Sequence, residues 1–302
     1  MLRQLLEDQP RLLAECAVAE RLRRLPGIDL HPTLYNSPLI YGPEHAREAM
    51  AAIYREYLGI AARNGRPILL TAPTWRLDRS RIAAADVPAS IVTDAVDFLL
   101  DLRHECHADQ PSVFIGGLVG PRNDCYRPDL APSTDEAEAF HAPQIKELAD
   151  SGIDFLLAQT LPSVAEAAGI AKLMSRTGKD YLISFCTGTD GRVLDGTLLP
   201  DAMEQIDDLF SEDGRPLGYF VNCTHPDFLL SNYRPGELDR LIGIQANGSS
   251  RDVTTLNASS ATVADPLDKW ADSMMKLHYE HGIPILGGCC GTTREHLEAL
   301  AR

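Results

Sequence analysis

The chain has no apolar run approaching the roughly 20 residues that a membrane-spanning helix requires. Its opening, MLRQLLEDQPRLLAEC, carries acidic residues where a signal peptide would be apolar. Neither a membrane span nor a secretory leader is expected, and the sequence reads as cytoplasmic. A cationic excess is also missing: 28 Lys and Arg stand against 43 Asp and Glu, for a formal charge of −15. Nucleic acid and anionic membrane surfaces are thereby excluded as partners, because both demand a positive face. No Gly-, Ser- or Pro-rich linker, low-complexity stretch or short repeat divides the sequence, so residues 1–302 are expected to form one domain. The seven cysteines are odd in number and without the dense regular spacing of secreted scaffolds. They read as reduced thiols, several of them packing as small core hydrophobes.

What is present is an ordinary globular balance, 44% hydrophobic and 24% charged, able to bury a large core. Short β-rich runs alternate with longer amphipathic ones, which signals a parallel sheet with helices packed outside it. Strands are predicted at residues 67–71 (PILLT), 112–116 (SVFIG), 153–158 (IDFLLA), 181–185 (YLISF), 217–222 (LGYFVN), 241–245 (LIGIQ) and 283–286 (IPIL). LLAEC at 12–16 is the candidate for the weakly written first strand. Helical patterns cover 43–64, 90–107, 134–151, 164–177, 200–211, 267–281 and 293–301, and Gly152 reads as the C-terminal glycine of the third. Doubly wound folds alternate in the same way. Eight repeats in order, without a second domain, favour a (β/α)8 barrel, a fold that commonly runs to this length as one unit.

Cys223 ends the sixth strand (GYFVNC), and Cys289 and Cys290 follow the eighth (IPILGGCCGTT). Catalytic residues of such barrels sit at the C-terminal ends of strands, so closure would bring the three thiols to one rim. Three thiolates suit zinc, a borderline-soft ion that takes sulfur at about 2.3 Å in a tetrahedron, with a fourth position for substrate. Three buried inert thiols, or a vicinal disulfide, are the alternatives. Adjacent side chains of a relaxed strand point opposite ways, so Gly287, Gly288 and Gly291 are expected to supply the unusual dihedrals that turn both sulfurs inward.

GYFVNCTHP, IGIQANGSS and GIPILGGCCGTTREHLEAL together resemble the homocysteine S-methyltransferase family, and the likeness extends more loosely through VGPRNDCY and IDFLLAQTLPSVAEA. The resemblance implies a zinc-bearing barrel in which Cys223, Cys289 and Cys290 match the metal ligands. Asn247 matches an asparagine that occupies the open coordination site in some relatives; a turn-forming Asn-Gly is the other reading. A zinc-bound thiol is deprotonated and remains nucleophilic. The expected reaction is methyl transfer from a small onium donor to a thiol, homocysteine or a relative, with no general base required. Demethylation of a methylated sulfur or nitrogen compound, and a catalytically idle thiol-binding barrel, are the competing functions. No Gly-rich strand for S-adenosylmethionine is recognisable, and 302 residues leave no room beside the barrel for a cobalamin module. A homo-oligomer is compatible with the sequence.

Two stretches depart from the family. Its members open on a DGAMGT-like strand that receives the amino acid part of homocysteine, whereas the corresponding stretch here, Glu15 to Glu20, reads ECAVAE without glycine. After strand four the family reads ET, and this chain has Gln159–Thr160. A neutral amide loses most of the charge-assisted attraction for an ammonium, so Gln159 points to a thiol without an α-amino group, unless Glu15 or Glu20 supplies the charge. Trp75 or Tyr126 is an aromatic surface on which an onium donor could rest by cation–π attraction. His225 is not expected to bind metal.

Overall fold

The computed structural model describes residues 2–106, 111–251 and 264–302. Eight parallel strands close in sequence order: β1 (Leu12–Ala14), β2 (Ile68–Thr71), β3 (Val113–Val119), β4 (Phe155–Leu161), β5 (Asp180–Cys186), β6 (Gly218–Asn222), β7 (Leu241–Ala246) and β8 (Ile285–Gly288). Closure is made where Leu12 and Leu13 of β1 pair with Ile285 and Leu286 of β8. The expected (β/α)8 barrel is therefore the fold.

The strands are near-continuous apolar runs because both faces are buried. Leu12, Leu69, Phe114, Phe155, Leu157, Leu182, Phe220 and Ile285 fill the barrel interior, while Leu13, Leu70, Ile115, Leu156, Ile183 and Leu286 face the helices. Two glycines make room for the large rings inside. A Cβ on Gly116 would lie 2.5 Å from Phe155, and one on Gly243 would lie 2.3 Å from Phe220. The helix Leu2–Asp8, which the sequence pattern did not reveal, packs Leu2 onto the interior cluster together with Leu5 and Leu6.

The outer helices follow the expected order, most with shorter ends and one, Leu267–His281, as predicted: Glu44–Arg63, Ile91–His104, Thr134–Ala149, Val164–Met174, Leu199–Asp207, Leu267–His281 and Arg294–Ala301. Of the helix expected at 90–107, the last residue, His107, lies outside the described residues. Thr134–Ala149 begins on a capping box between Ser133 and Glu136. It ends on Asp150, not on a left-handed Gly152; a Cβ at Gly152 would lie 2.8 Å from Leu100, so close packing accounts for that glycine. Strands β3 and β4 run further than predicted, beyond Gly116 to Val119 and beyond Ala158 through Gln159–Thr160 to Leu161. In β4 the pairing with β5 shifts between Ala158 and Leu161, and Thr160 takes φ +65°. Gln159 and Thr160 are thus carried on a strand irregularity at the barrel rim.

Candidate active site

The C-terminal ends of β4, β5, β6 and β8 deliver the reactive side chains. At the end of β6, Cys223 takes φ +55°, a left-handed conformation uncommon outside glycine, asparagine and aspartate. Its Sγ lies 3.4 Å from that of Cys289. It also accepts a hydrogen bond from Asn222 Nδ2 at 3.2 Å. Asn222 is fully buried, and its Oδ1 accepts from the Thr160 backbone N–H at 3.0 Å and from Ser184 Oγ at 2.6 Å.

After β8 the chain reverses at once. The Cys289 N–H donates to the Ala246 carbonyl at 2.7 Å, and the Cys289 carbonyl accepts from the Thr292 hydroxyl at 2.6 Å and from the Thr292 N–H at 3.2 Å. The Cys290 carbonyl accepts from Gly248 N–H at 2.8 Å, and Gly291, at φ +80°, donates its N–H to the Glu20 carboxylate. This tight turn sets the Cys289 sulfur against that of Cys223 and places the exposed Cys290 on the lining of the same cavity. Of the three glycines expected to bend the backbone, only Gly291 does so by a positive φ. Gly287 and Gly288 are required for space: added Cβ atoms would lie 2.7 Å from the Ala14 carbonyl oxygen and 2.3 Å from Thr292 Oγ1.

All seven cysteines are free thiols, so no vicinal disulfide joins Cys289 to Cys290. Contact with Cys186, ahead of burial, holds the Cys223 thiol well above the ordinary thiol range, and contact with Cys223 does the same for Cys289. Two further cysteines extend the cluster. Cys125 and Cys186 pack with Cys223 in one buried group, flanked by Trp75, Tyr126 and Cys289. Cys186 ends β5 just as Cys223 adjoins the end of β6, and the strand-end signal that singled out Cys223 in the sequence applies to it equally.

The trio of Cys223, Cys289 and Cys290 offers soft donors in the correct number for zinc. Ligand sulfurs of a tetrahedral zinc stand about 3.8 Å apart when each bond is about 2.3 Å, so the pair at 3.4 Å would open by a few tenths of an ångström. Among the described residues no group of three side chains already stands in metal-holding geometry. Beside the trio, Asn247 is buried with its Oδ1 lacking any hydrogen-bond partner, while its backbone is fixed by Thr224 at 2.7 Å and Trp270 at 2.8 Å. Buried side-chain oxygens are ordinarily satisfied. An orphaned oxygen next to three thiols fits a fourth ligand or a substrate partner. His225 caps the helix Pro226–Asn232, its Nδ1 accepting from Asp227 N–H at 3.3 Å.

These groups open into a cavity of about 690 Å³, which brings together every residue singled out from the sequence as binding: Glu15, Trp75, Gln159, Thr160, Asn247 and the three cysteines. Glu15 is buried, accepting from Thr71 N–H at 3.0 Å and from the Thr71 hydroxyl, and burial pushes its carboxyl up to about 7. Gln159 donates to Gln245 Oε1, and Gln245 in turn donates to the Glu15 carbonyl at 3.1 Å. Trp75 Nε1 donates to Thr160 Oγ1 at 2.8 Å, and its ring meets Tyr35 edge-on at 5.2 Å. The Arg76 guanidinium lies 4.4 Å from the centre of the Trp75 ring, so a cation of the protein's own already rests on that aromatic surface. Asn222, Ser184, Gln245 and Cys186 are the participants that sequence reasoning missed; all four lie on β5, β6 or β7.

Residues 12–302 match the family described as homocysteine S-methyltransferase. The chain is 26% identical to homocysteine S-methyltransferase YbgG of Bacillus subtilis (strain 168), over 98% of this chain and 95% of that protein. It is 25% identical to homocysteine S-methyltransferase of Escherichia coli (strain K12), over 99% of this chain and 97% of that one. The crystal structure of the metallated form of the homocysteine methyltransferase MmuM from Escherichia coli superposes with a TM-score of 0.75 at 21% identity, covering 99% and 98% of the two chains. That likeness places the fold.

Proposed function

The chain belongs to the homocysteine S-methyltransferase family, and on that premise we propose that it moves a methyl group from a small onium donor to a thiol, homocysteine or a close relative, at a zinc site formed by Cys223, Cys289 and Cys290. The observation that carries this reading is the convergence of three cysteines from the ends of β6 and β8 on one cavity, with Cys223 and Cys289 in sulfur contact and the unpartnered Asn247 Oδ1 on the same lining. The metallated state named for MmuM supports a metal here; the all-sulfur donor set favours zinc.

When bound, zinc would keep the acceptor sulfur as a thiolate at neutral pH. The remaining work falls to the protein. Asn222 orients Cys223 through its amide, and the turn at Gly291 keeps the two cysteines that precede it on the cavity lining. Glu15 and the Gln159–Gln245 pair present the polar wall for the acceptor's far end, and Thr160 with Trp75 forms the adjoining face. The acceptor sulfur forms the new bond to the methyl carbon while the bond from that carbon to the donor's positive sulfur or nitrogen breaks, and the electron pair leaves with the donor. Charge is neutralised in the step, so a cavity that excludes water favours it. With homocysteine as acceptor the product is methionine, which would make this a step of methionine biosynthesis in the cytoplasm, carried out by residues 1–302 as a single catalytic unit. Zinc-loaded protein crossed against panels of thiols and onium compounds should yield a methylated thiol detectable by mass spectrometry; absence of any methylated product across the panels would refute the proposal.

A further inference from the structure

Four arginines line the cavity, and three of them have a carboxylate partner. Arg24 and Arg23 reach Glu20 at 2.5 and 3.9 Å, and Arg81 pairs with Asp78. Arg76 differs. It is only 9% exposed, and among the described residues no carboxylate lies within ion-pair distance of it. Its Nη1 donates to the backbone carbonyls of Asn123 at 2.9 Å and Pro121 at 3.4 Å, its plane stacks on Trp75, and its Nε is buried with no acceptor at all. The charged and titratable groups that act on it are Arg81, which adds like charge, and Tyr35, Cys125 and Asp124 at longer range. Arginine keeps its charge inside proteins. With Nη1 fixed by carbonyls, the face covered by an indole and Nη2 making no hydrogen bond among the described residues, the guanidinium on this cavity lining is a seat for an anion.

We propose that Arg76 is the residue that takes the carboxylate of a small zwitterionic substrate in this cavity. The assignment rests on the methyl-transfer reading only for the choice of substrates. Trp75 connects the two parts of the site: its Nε1 holds Thr160 beside Gln159, and its ring carries Arg76. A carboxylate held by Arg76 and a reacting sulfur or onium group directed to the cysteines would fix a substrate at two ends. The carboxylate belongs either to the acceptor, as in homocysteine and its product methionine, or to the onium donor.

Binding without turnover separates these. Calorimetry on the zinc-loaded protein would compare L-methionine with its decarboxylated counterpart 3-(methylthio)propylamine, and S-methylmethionine with (3-aminopropyl)dimethylsulfonium. In the wild type, one pair should show the carboxylate-bearing member binding about tenfold tighter or more, the scale of a charge-assisted bidentate contact. Arg76→Gln should bring that ratio to about one while leaving the decarboxylated probe unchanged, and Arg76→Lys should restore part of it. The pair that responds identifies the source. Equal ratios in wild type and R76Q, equal loss for all probes, or no binding of any probe would overturn the assignment. Should R76Q fail to fold, R76K alone must lower the ratio, since a lysine cannot reproduce the fork; an unchanged ratio would then overturn it. Failure of methyl transfer with the carboxylate preference intact would refute the proposed reaction and leave Arg76 as an anion site.

Discussion

Replacing Gln159 by Glu should shift acceptor preference toward homocysteine, and the structure limits by how much. The wild-type wall presents an amide, Gln159, whose Nε2 is used on Gln245, and a carboxyl, Glu15, that accepts twice from Thr71 and is pushed up to about 7 by burial. An ammonium arriving there meets no free carboxylate, so wild-type protein should favour an amino-free thiol. Gln159→Glu supplies one. A hydrogen bond to a charged partner contributes about 1.5–3 kcal/mol. Against this, the new carboxylate faces Gln245 Oε1, which forces that amide to turn and give up its 3.1 Å bond to the Glu15 carbonyl. Losing a neutral hydrogen bond costs about 0.5–1.5 kcal/mol, but that cost falls on the variant whichever acceptor binds and cancels in a ratio, so the preference should move by about 1.5–3 kcal/mol, roughly tenfold or more. The assay is the ratio of kcat/KM for homocysteine to that for 4-mercaptobutyrate in both proteins. A wild type that strongly prefers homocysteine, with the ratio unmoved by Gln159→Glu, would refute the reasoning.

Zinc content, about one ion per chain in the wild type for a site of this kind, should fall in Cys223→Ala, Cys289→Ala and Cys290→Ala, with turnover falling in parallel; full retention in all three would remove the metal assignment. Glu15, raised by burial from 4.5 to about 7, is neutral in both folded and unfolded chains at low pH. As pH rises between those values the unfolded chain ionises first, so this group's contribution to stability is lost, by about 3 kcal/mol above pH 7. Denaturant titrations at pH 5 and pH 8 should therefore show a smaller drop for Glu15→Gln than for wild type, and parallel drops would contradict the burial argument. Gly288→Ala should destabilise the fold by about 1–3 kcal/mol through overpacking, because its Cβ would lie 2.3 Å from Thr292 Oγ1 and 2.7 Å from Cys16 Sγ. Urea denaturation checks that figure, and an unchanged midpoint would show that the turn carrying Cys289 and Cys290 yields more readily than its packing implies.

The barrel was legible because doubly buried strands are written as unbroken apolar runs, ILLT or FLLA, between helices with one apolar face. The strand ends were not. After the predicted SVFIG run Gly117 looks like a breaker, yet β3 continues to Val119, and Gln159–Thr160 looks like the start of a loop because polar residues end the run. Cys223, Cys289 and Cys290 stood out by lying at strand ends. The burial of Arg76 has no counterpart in one dimension, where an arginine after a strand reads as solvated. The same holds for Asn222, whose side chain is the physical link between the two halves of the site. Thr160 at φ +65° and Cys223 at φ +55° are strained positions at the rims of non-adjacent strands, and backbone strain of this kind persists only where the surroundings over-determine it. Asn222 does so for both. One amide oxygen holds the Thr160 N–H while the amide nitrogen holds Cys223 Sγ, so the wall that faces the acceptor's polar end and the sulfur of the metal-binding trio are set by a single fully buried side chain.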